Sequence, residues 1–590
     1  MKRIYTFIMI AATVLMMFGC KDPYLPETPV ADYVGQEASL KFFGDDYINV
    51  DKYGGDYTTT FTSNLPWMME SSNDWITITS PDRGTGSTEV HTIAFTVKKN
   101  ASVNPREGKI RIWIDNAHEA YIRLKQGEMT LEELANKYYV KVGGTGDGSS
   151  WAMASGDLSK ILENAANGDK VYVGAGRYTP STLYPGAPDE KGACFFVSGN
   201  IGLYGGYPAD AKDGDVADPT ANPTILDGKL KEGNSHHVLI VAAAEDPLFK
   251  LEVNGFEIIN GSSYPGGGNV VINSGRLYGY QGGGLCIINS KATVKNCVIR
   301  NNSSPKGTGG VYIGDGSTAT LEDCVIADNT GYGNGPGLAN SAATMIMNRC
   351  IVERSLSENG GVSGGIYLYD QSGAKRATIS YIYNSVIRDN DNKSGAASRV
   401  GAGIYAREGS KTYIVNTTVN GNLGGGAAVA CYGTTAAKSE MTVISSTITA
   451  NTSKFVGGGL QSMPFSTVKA YNSIISGNTV EDPAATSSDV LTAKNATAPM
   501  AFYNTVVTGD VYGNDGGKLS GYLFDPATMF LKSGNYFALG GDPNPARTMG
   551  MTGDEIKALP EAADLNQEWI ANDAAGADRK AKVMGAYIGN

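Results

Sequence analysis

The stretch Asn296-Cys297-Val298-Ile299-Arg300-Asn301-Asn302 decides how this chain folds. Its form is a polar residue, a small residue, two mostly β-branched residues, two variable positions and Asn. The opening four residues return as Asp323-Cys324-Val325-Ile326, Arg349-Cys350-Ile351-Val352, Asn384-Ser385-Val386-Ile387, Asn416-Thr417-Thr418-Val419, Ser445-Ser446-Thr447-Ile448, Asn472-Ser473-Ile474-Ile475 and Asn504-Thr505-Val506-Val507. Between the small residues the intervals are 27, 26, 35, 32, 29, 27 and 32 residues. Self-similarity at such a period marks stacked units, and three short strands with turns fill one coil of that length. An α-helical repeat would need uninterrupted helix formers, which the glycines forbid, and the Leu ladder of a leucine-rich repeat is absent. A second signature, Gly283-Gly284-Leu285, Gly309-Gly310-Val311, Gly364-Gly365-Ile366, Ala402-Gly403-Ile404 and Gly458-Gly459-Leu460, sets a tight turn before an inward aliphatic residue. The fold class is all-β, with a right-handed parallel β-helix as its main body.

Stacking assigns the recurring residues their roles, because equivalent positions lie about 4.8 Å apart. Asn296, Asn384, Asn416, Asn472 and Asn504 are expected to form an asparagine ladder at a turn. Cys297, Cys324 and Cys350 are expected to stack inward as free thiols acting as small hydrophobes. A looser copy, Asn254-Gly255-Phe256-Glu257-Ile258-Ile259-Asn260-Gly261, places the start of the stack before residue 260.

Composition agrees. The chain has 590 residues, with 76 Gly, 18% charged residues and 32 Tyr against 5 Trp, which suits many tight turns between short strands. A length well beyond one compact core implies several units or an elongated one. The net charge of −11, without a Lys/Arg cluster beyond the extreme N-terminus, argues against a nucleic-acid partner. The cysteines show no C-x-x-C spacing, so neither a structural zinc site nor any other cofactor is expected.

Lys2 and Arg3 followed by the apolar run Ile4 to Phe18 read as an export signal, too short for a transmembrane span. The Gly19-Cys20 that ends it resembles the lipobox of bacterial lipoproteins, which implies lipidation of Cys20 and anchoring in outer-membrane lipid. Lys21-Asp22 resembles the export tag of Bacteroides-type surface lipoproteins, which implies the cell surface, with the periplasmic face as the alternative.

The chain then divides into a signal peptide (1–20), a Pro-rich linker (21–35), a strand-rich domain (36–127), a second linker (128–136), the β-helix (137–545) and a C-terminal closing segment (546–590). In the strand-rich domain Tyr57 to Thr62, His91 to Lys98, Lys109 to Ile114 and Ala120 to Lys125 alternate apolar and polar residues, the mark of half-buried strands. Ser63-Asn64-Leu65-Pro66-Trp67, Asp74-Trp75-Ile76, Arg106-Glu107-Gly108 and Lys125-Gln126-Gly127 resemble the BACON family, which implies an Ig-like β-sandwich that acts as a spacer. Trp67 and Trp75 are expected in its core rather than as sugar platforms. After the glycine-rich run Val142 to Trp151, the segment Asp157 to Ala166 has Leu158, Ile161, Leu162 and Ala165 at helical spacing. The run ends without Gly-Lys-Ser/Thr and so is no phosphate loop. With Gly168-Asp169-Lys170-Val171-Tyr172-Val173 and Leu203-Tyr204-Gly205-Gly206-Tyr207, this order resembles the opening of secreted β-helix proteins related to pectate-lyase-like and polymorphic outer-membrane repeats, where the helix caps the stack.

Function has to be read from sites rather than from fold. In the Gly-Gly-aliphatic strands the residue after the inward aliphatic faces outward, giving a file of Tyr312, Tyr367 and Tyr405, with Tyr369 and Arg407 pointing the same way. This file, with Asp370 and Arg407 making polar contacts, is the candidate glycan-binding face, so the expected function is glycan binding or adhesion by a monomeric surface lipoprotein, its partners polysaccharides or glycoprotein glycans. A polysaccharide lyase or glycoside hydrolase is the first alternative, with Asp370, Lys375, Arg376, Arg388 and Asp389 as the nearest charged group, but no catalytic residue is assigned. His236 and His237 precede the regular coils and are expected to be structural. A non-catalytic stalk is the other alternative.

Overall fold

The computed structural model of the chain describes residues 36–43, 47–266, 268–332, 335–358, 362–369, 377–392, 401–484, 488–492, 499–533, 536–540 and 543–587. The chain divides between Leu134 and Ala135 into two units.

In the first unit, strands Leu40–Phe43, Gly55–Ser63, Ser87–Val97 and Ile76–Ile78 form one sheet. Tyr47–Val50, His118–Gln126, Arg106–Asp115, Trp67–Ser71 and Arg83–Gly84 form the other. Alternation sends Phe61, Ile93 and Phe95 of one sheet and Ile110, Ile112, Ile122 and Leu124 of the other into a single core, so the unit is a sandwich. Trp67 and Trp75, 6% and 7% exposed, belong to that core. Two glycines make room for them. A Cβ on Gly84 would lie 2.6 Å from the Trp67 ring, and one on Gly108 would lie 2.5 Å from the Trp75 ring.

The second unit is a parallel β-helix whose described strands form sheets of twelve, thirteen, ten and seven strands. Each complete coil gives one strand to each sheet in turn, as in Lys291–Lys295, Val298–Arg300, Ser303–Ser304 and Val311–Gly314. The expected three strands per coil are thus joined by a fourth of two residues. Successive coils pair in register, Lys291 with Thr318 and Val298 with Val325. The alternate residues Ala292, Val294, Ile299, Val311 and Ile313 fill one continuous core. The helix Leu158–Asn164, capped by the Asp157 side chain, buries Leu158, Ile161 and Leu162 in that core and caps its first coils.

The first residue of the repeat phrase turns a corner in the left-handed conformation, with φ of 48° at Asn296, 54° at Asp323 and Arg349, 49° at Asn384 and 51° at Asn416. Asn and Asp suit this position because they tolerate positive φ at least cost among non-glycine residues. The side chains of this column bond only in part, Asn416 to Asn384 at 3.2 Å and Asn472 to Ser445 at 2.9 Å. The asparagine ladder lies instead at the last position of the phrase. There the amide of Asn390 donates to Asn422 (2.9 Å), Asn422 to Asn451 (2.9 Å), Asn451 to Asn478 (2.8 Å) and Asn478 to Asp489 (2.8 Å), all buried. Cys297, Cys324 and Cys350 are buried free thiols lining the core. Their column continues as hydroxyls, each accepting from the preceding coil: Cys350 N–H donates to Ser385 Oγ at 3.1 Å and Thr417 N–H to Ser446 Oγ at 3.1 Å.

Past Thr505–Val507 the pairing turns antiparallel through Asp510–Tyr512 and Lys518–Leu523. The segment expected to close the stack runs back along its flank. Asn416 Nδ2 donates to the carbonyls of Trp569 (2.8 Å) and Asn572 (2.7 Å), and Asn472 Nδ2 to that of Val583 (3.0 Å). Ile556, Leu565 and Ile570 pack there on Tyr383, Tyr413, Val415, Ile444 and Tyr471.

Candidate functional site

The ten-stranded sheet sets Tyr312, Ala339, Tyr367, Tyr405 and Ala430 in one file, pointing away from the coil interior as the alternation predicts. The file is covered. Tyr312, Tyr367, Tyr369 and Tyr405 are 1%, 2%, 7% and 4% exposed, and burial pushes the Tyr367 hydroxyl up to about 12. The hairpin of Asn269–Ile272 and Gly275–Tyr278 supplies part of the cover: Ile272 and Leu277 join the same apolar cluster, and Tyr278 meets Tyr312 edge-on at 6.0 Å. Period-two alternation tells which face a side chain takes but not what folds over that face. The expected open tyrosine platform is therefore a second buried layer.

The polar residues of the expected face are engaged as well. Arg407 donates to the Tyr367 hydroxyl at 3.3 Å, pairs with Glu408 and lies 5.3 Å from the Tyr432 ring centre. Arg388 pairs with the buried Glu353 at 2.6 Å and approaches Asp389 at 3.9 Å. Asp370, Lys375, Arg376 and Cys20 lie outside the described residues. His236 Nε2 bonds Asp189 at 2.8 Å. His237 is fully buried, its Nδ1 at 3.0 Å from the Gly282 carbonyl, and desolvation lowers it to about 4. Among the described residues no group of three His, Cys, Asp or Glu side chains is placed to hold a metal ion.

An open aromatic site lies elsewhere, on the outer face of the twelve-stranded sheet at its first coils. Register aligns Tyr139, Tyr172 and Tyr204, whose rings stack at 5.4 and 5.7 Å between centres. Trp151 stands edge-on to Tyr139 at 5.0 Å and leans on Tyr207 at 5.4 Å. The glycine-rich run brings it there. Gly146 N–H donates to the Ala154 carbonyl at 3.0 Å, and a Cβ on Gly146 would fall 2.1 Å from the Met153 carbonyl oxygen, so only glycine lets the two backbones meet. Asp213, Asp215 and Lys137 join Tyr139, Tyr172 and Tyr207 in lining a cleft of about 310 Å³. Burial first, and then the Asp213 carboxylate, raise the Tyr139 hydroxyl above its ordinary range. Because the rings stack on one another, the Tyr172 face is largely covered, and the cleft offers ring edges, hydroxyls and two carboxylates. The signal was present in the sequence as tyrosines at coil-length intervals, ahead of the first clear repeat phrase.

Residues 66–127 match the model of the BACON family, a putative binding domain, and residues 252–396 match that of the right-handed β-helix region. The chain carries a BACON domain and a right-handed β-helix. No curated protein matches it. Among solved structures, the pectate lyase Pel9A aligns with 77% of this chain and 96% of its own at 16% identity and a TM-score of 0.42. A Bacteroides ovatus GH5 xyloglucanase in complex with a XXXG heptasaccharide aligns with 23% of this chain at 16% identity and a TM-score of 0.14, and the alignment spans 37% of the xyloglucanase. The BACON match covers the strands from Trp67 to Gln126, and the β-helix match covers coils in the middle of the stack.

Proposed function

We propose that this protein is a monomeric glycan-binding surface lipoprotein, held in the outer membrane by acylated Cys20, with the BACON domain as spacer and the first coils of the β-helix as binding site. The cleft lined by Tyr139, Tyr172 and Tyr207 carries the reading. A sugar presents hydroxyls that both donate and accept around an apolar C–H surface. Phenol hydroxyls, the carboxylates of Asp213 and Asp215 and the Lys137 ammonium answer the first, and the ring edges of Tyr139, Tyr172 and Tyr207, backed by the buried Trp151, answer the second. Two carboxylates against one ammonium favour a neutral glycan over a uronate. Adhesion follows if the glycan belongs to a host or neighbouring surface.

The test is titration calorimetry of the full chain against neutral oligosaccharides, with Tyr172→Ala and Asp213→Asn. Binding that both changes weaken at least about tenfold supports the site. Absence of binding, or binding indifferent to both, overturns it. Labelling with radioactive palmitate that is lost in Cys20→Ser, together with protease accessibility on intact cells, checks the anchor and the compartment.

A further inference from the structure

We infer that water is a structural ligand of the β-helix interior, held in a sealed site that Asn340, Ser380 and Thr412 form between successive coils. All three polar side chains face inward. Register sets Asn340 between Ile313 and Leu368, and sets Ser380 and Thr412 in one column between Met345 and Met441. Those four flanking residues all belong to the apolar core. Asn340 and Ser380 are 0% exposed and Thr412 is 1% exposed.

Their hydrogen bonds are only half made. Asn340 Nδ2 donates to the Ala343 carbonyl at 3.2 Å, the Ile379 carbonyl at 3.1 Å and Ser380 Oγ at 2.9 Å. These acceptors fix which way the amide points, since exchanging its ends would set an oxygen against two carbonyl oxygens. Asn340 Oδ1 is left without a donor, and Thr412 Oγ1 without any partner, among the described residues. Buried polar atoms are almost always paired, with protein or with ordered water. Two partnerless oxygens at one corner of one core call for a common partner.

Side-chain size provides the room. Each coil builds this corner from one residue of the ten-stranded sheet and one of the twelve-stranded sheet: Asn340 with Met345, Leu368 with Ser380, Ala406 with Thr412 and Cys431 with Met441. Ala406 with Thr412 is the pair with the fewest side-chain atoms. A buried water needs such a gap and two to four polar partners. Here it donates to Asn340 Oδ1 and Thr412 Oγ1 and accepts from the Ser380 hydroxyl. Asn340 already reaches up one coil to Ser380, and Thr412 lies one coil, about 4.8 Å, beyond; a water about 2.8 Å from each of two oxygens spans that gap. An ion fits less well, because Ile313, Leu368, Ala406, Met345 and Met441 around the site offer nothing to balance a charge. The result is a polar thread, Asn340 to water to Thr412, tying three successive coils at a corner away from the asparagine ladder.

The experiment is a high-resolution crystal structure of the full chain, joined to hydrogen–deuterium exchange over residues 404–415 in the unaltered chain, Thr412→Val and Thr412→Ser. The expected result is water density within about 2.7 to 3.2 Å of both Asn340 Oδ1 and Thr412 Oγ1. Valine keeps the shape of threonine but strands the water, so exchange should quicken at least about threefold in Thr412→Val. Thr412→Ser, which keeps the hydroxyl, should still show the water in its own crystal structure. A dry corner in the unaltered chain, or Asn340 and Thr412 turned onto protein partners, overturns the inference. Equal or slower exchange in Thr412→Val does so too, because losing a hydroxyl that bonds nothing would not weaken the coil. Should Thr412→Val fail to fold, the density in the unaltered chain decides.

Discussion

Replacing Asn422 by Ala measures what holds one coil to the next. The side chain is fully buried. Its Oδ1 accepts from the backbone N–H of Asn390 at 3.1 Å and from Asn390 Nδ2 at 2.9 Å. Its Nδ2 donates to Asn451 Oδ1 at 2.9 Å, Ile387 O at 3.0 Å and Asn420 O at 3.1 Å. The three acceptors have a second lone pair, and Asn390 Nδ2 keeps its bond to Val352 O at 3.1 Å. What truncation strands outright is the Asn390 backbone N–H and one amide N–H. At about 1 to 3 kcal/mol for each stranded buried donor, the coil loses about 2 to 6 kcal/mol. Stacked repeats lose stability locally, so the assay is hydrogen–deuterium exchange read by mass spectrometry over residues 386–424, with Asn301→Gly, at an exposed left-handed corner, as control. Exchange should accelerate by well over tenfold in the Ala variant and little in the control. Acceleration below tenfold, about 1.4 kcal/mol, refutes the ladder as the bond between coils.

Three further outcomes are expected. His237, neutral in the folded chain with a pKa lowered to about 4, gains its proton on unfolding below the ordinary value of 6.5; its stabilisation is complete above pH 6.5 and lost as pH falls toward 4, by on the order of 3 kcal/mol. His237→Gln should flatten the melting temperature over that interval, and parallel slopes would contradict it. Cys350→Ser should shift stability by less than about 1 kcal/mol, because the same column already carries Ser385 and Ser446, whereas Cys350→Leu overpacks the core by about 1 to 3 kcal/mol; equal melting curves for the two would be the adverse result. Arg579, buried and donating to the carbonyls of Val583 at 3.1 Å and Gly585 at 2.6 Å, stays charged with a pKa lowered to about 10. Arg579→Ala should cost about 3 to 5 kcal/mol locally and expose residues 553–587 to limited proteolysis before the coils, and an unchanged cleavage pattern would count against that.

Much of the fold is legible because stacking forces equivalent residues to recur. The phrase around Cys297, Cys324 and Cys350 declares the coil, and Leu158, Ile161 and Leu162 declare the cap. The ladder is harder to read: Asn296 and Asn302 carry the same side chain, and only the backbone, left-handed at the first, separates a corner from a rung. The tyrosine file failed for a related reason. Alternation gave Tyr312 and Tyr405 their direction, but the hairpin over Tyr312 lies in a stretch that repeats nothing. The open cleft escaped because Tyr139, Tyr172 and Tyr207 precede the first clear phrase and its acids come from the unrelated loop at Asp213 and Asp215.

The returning C-terminal segment gives the stack a mechanical character that its repeats alone would not. An open coil touches only its neighbours and can peel from one end, turn by turn, at low force. Here the backbone N–H of Asn566 bonds the Tyr383 hydroxyl at 3.3 Å, and Asn416 and Asn472 hold carbonyls further along the same segment. The segment acts as a lashing across the coils from Tyr383 to Asn472. Pulled from the last coil, this half should resist as one block and yield in a single rupture, while the coils before Tyr383 pay out individually.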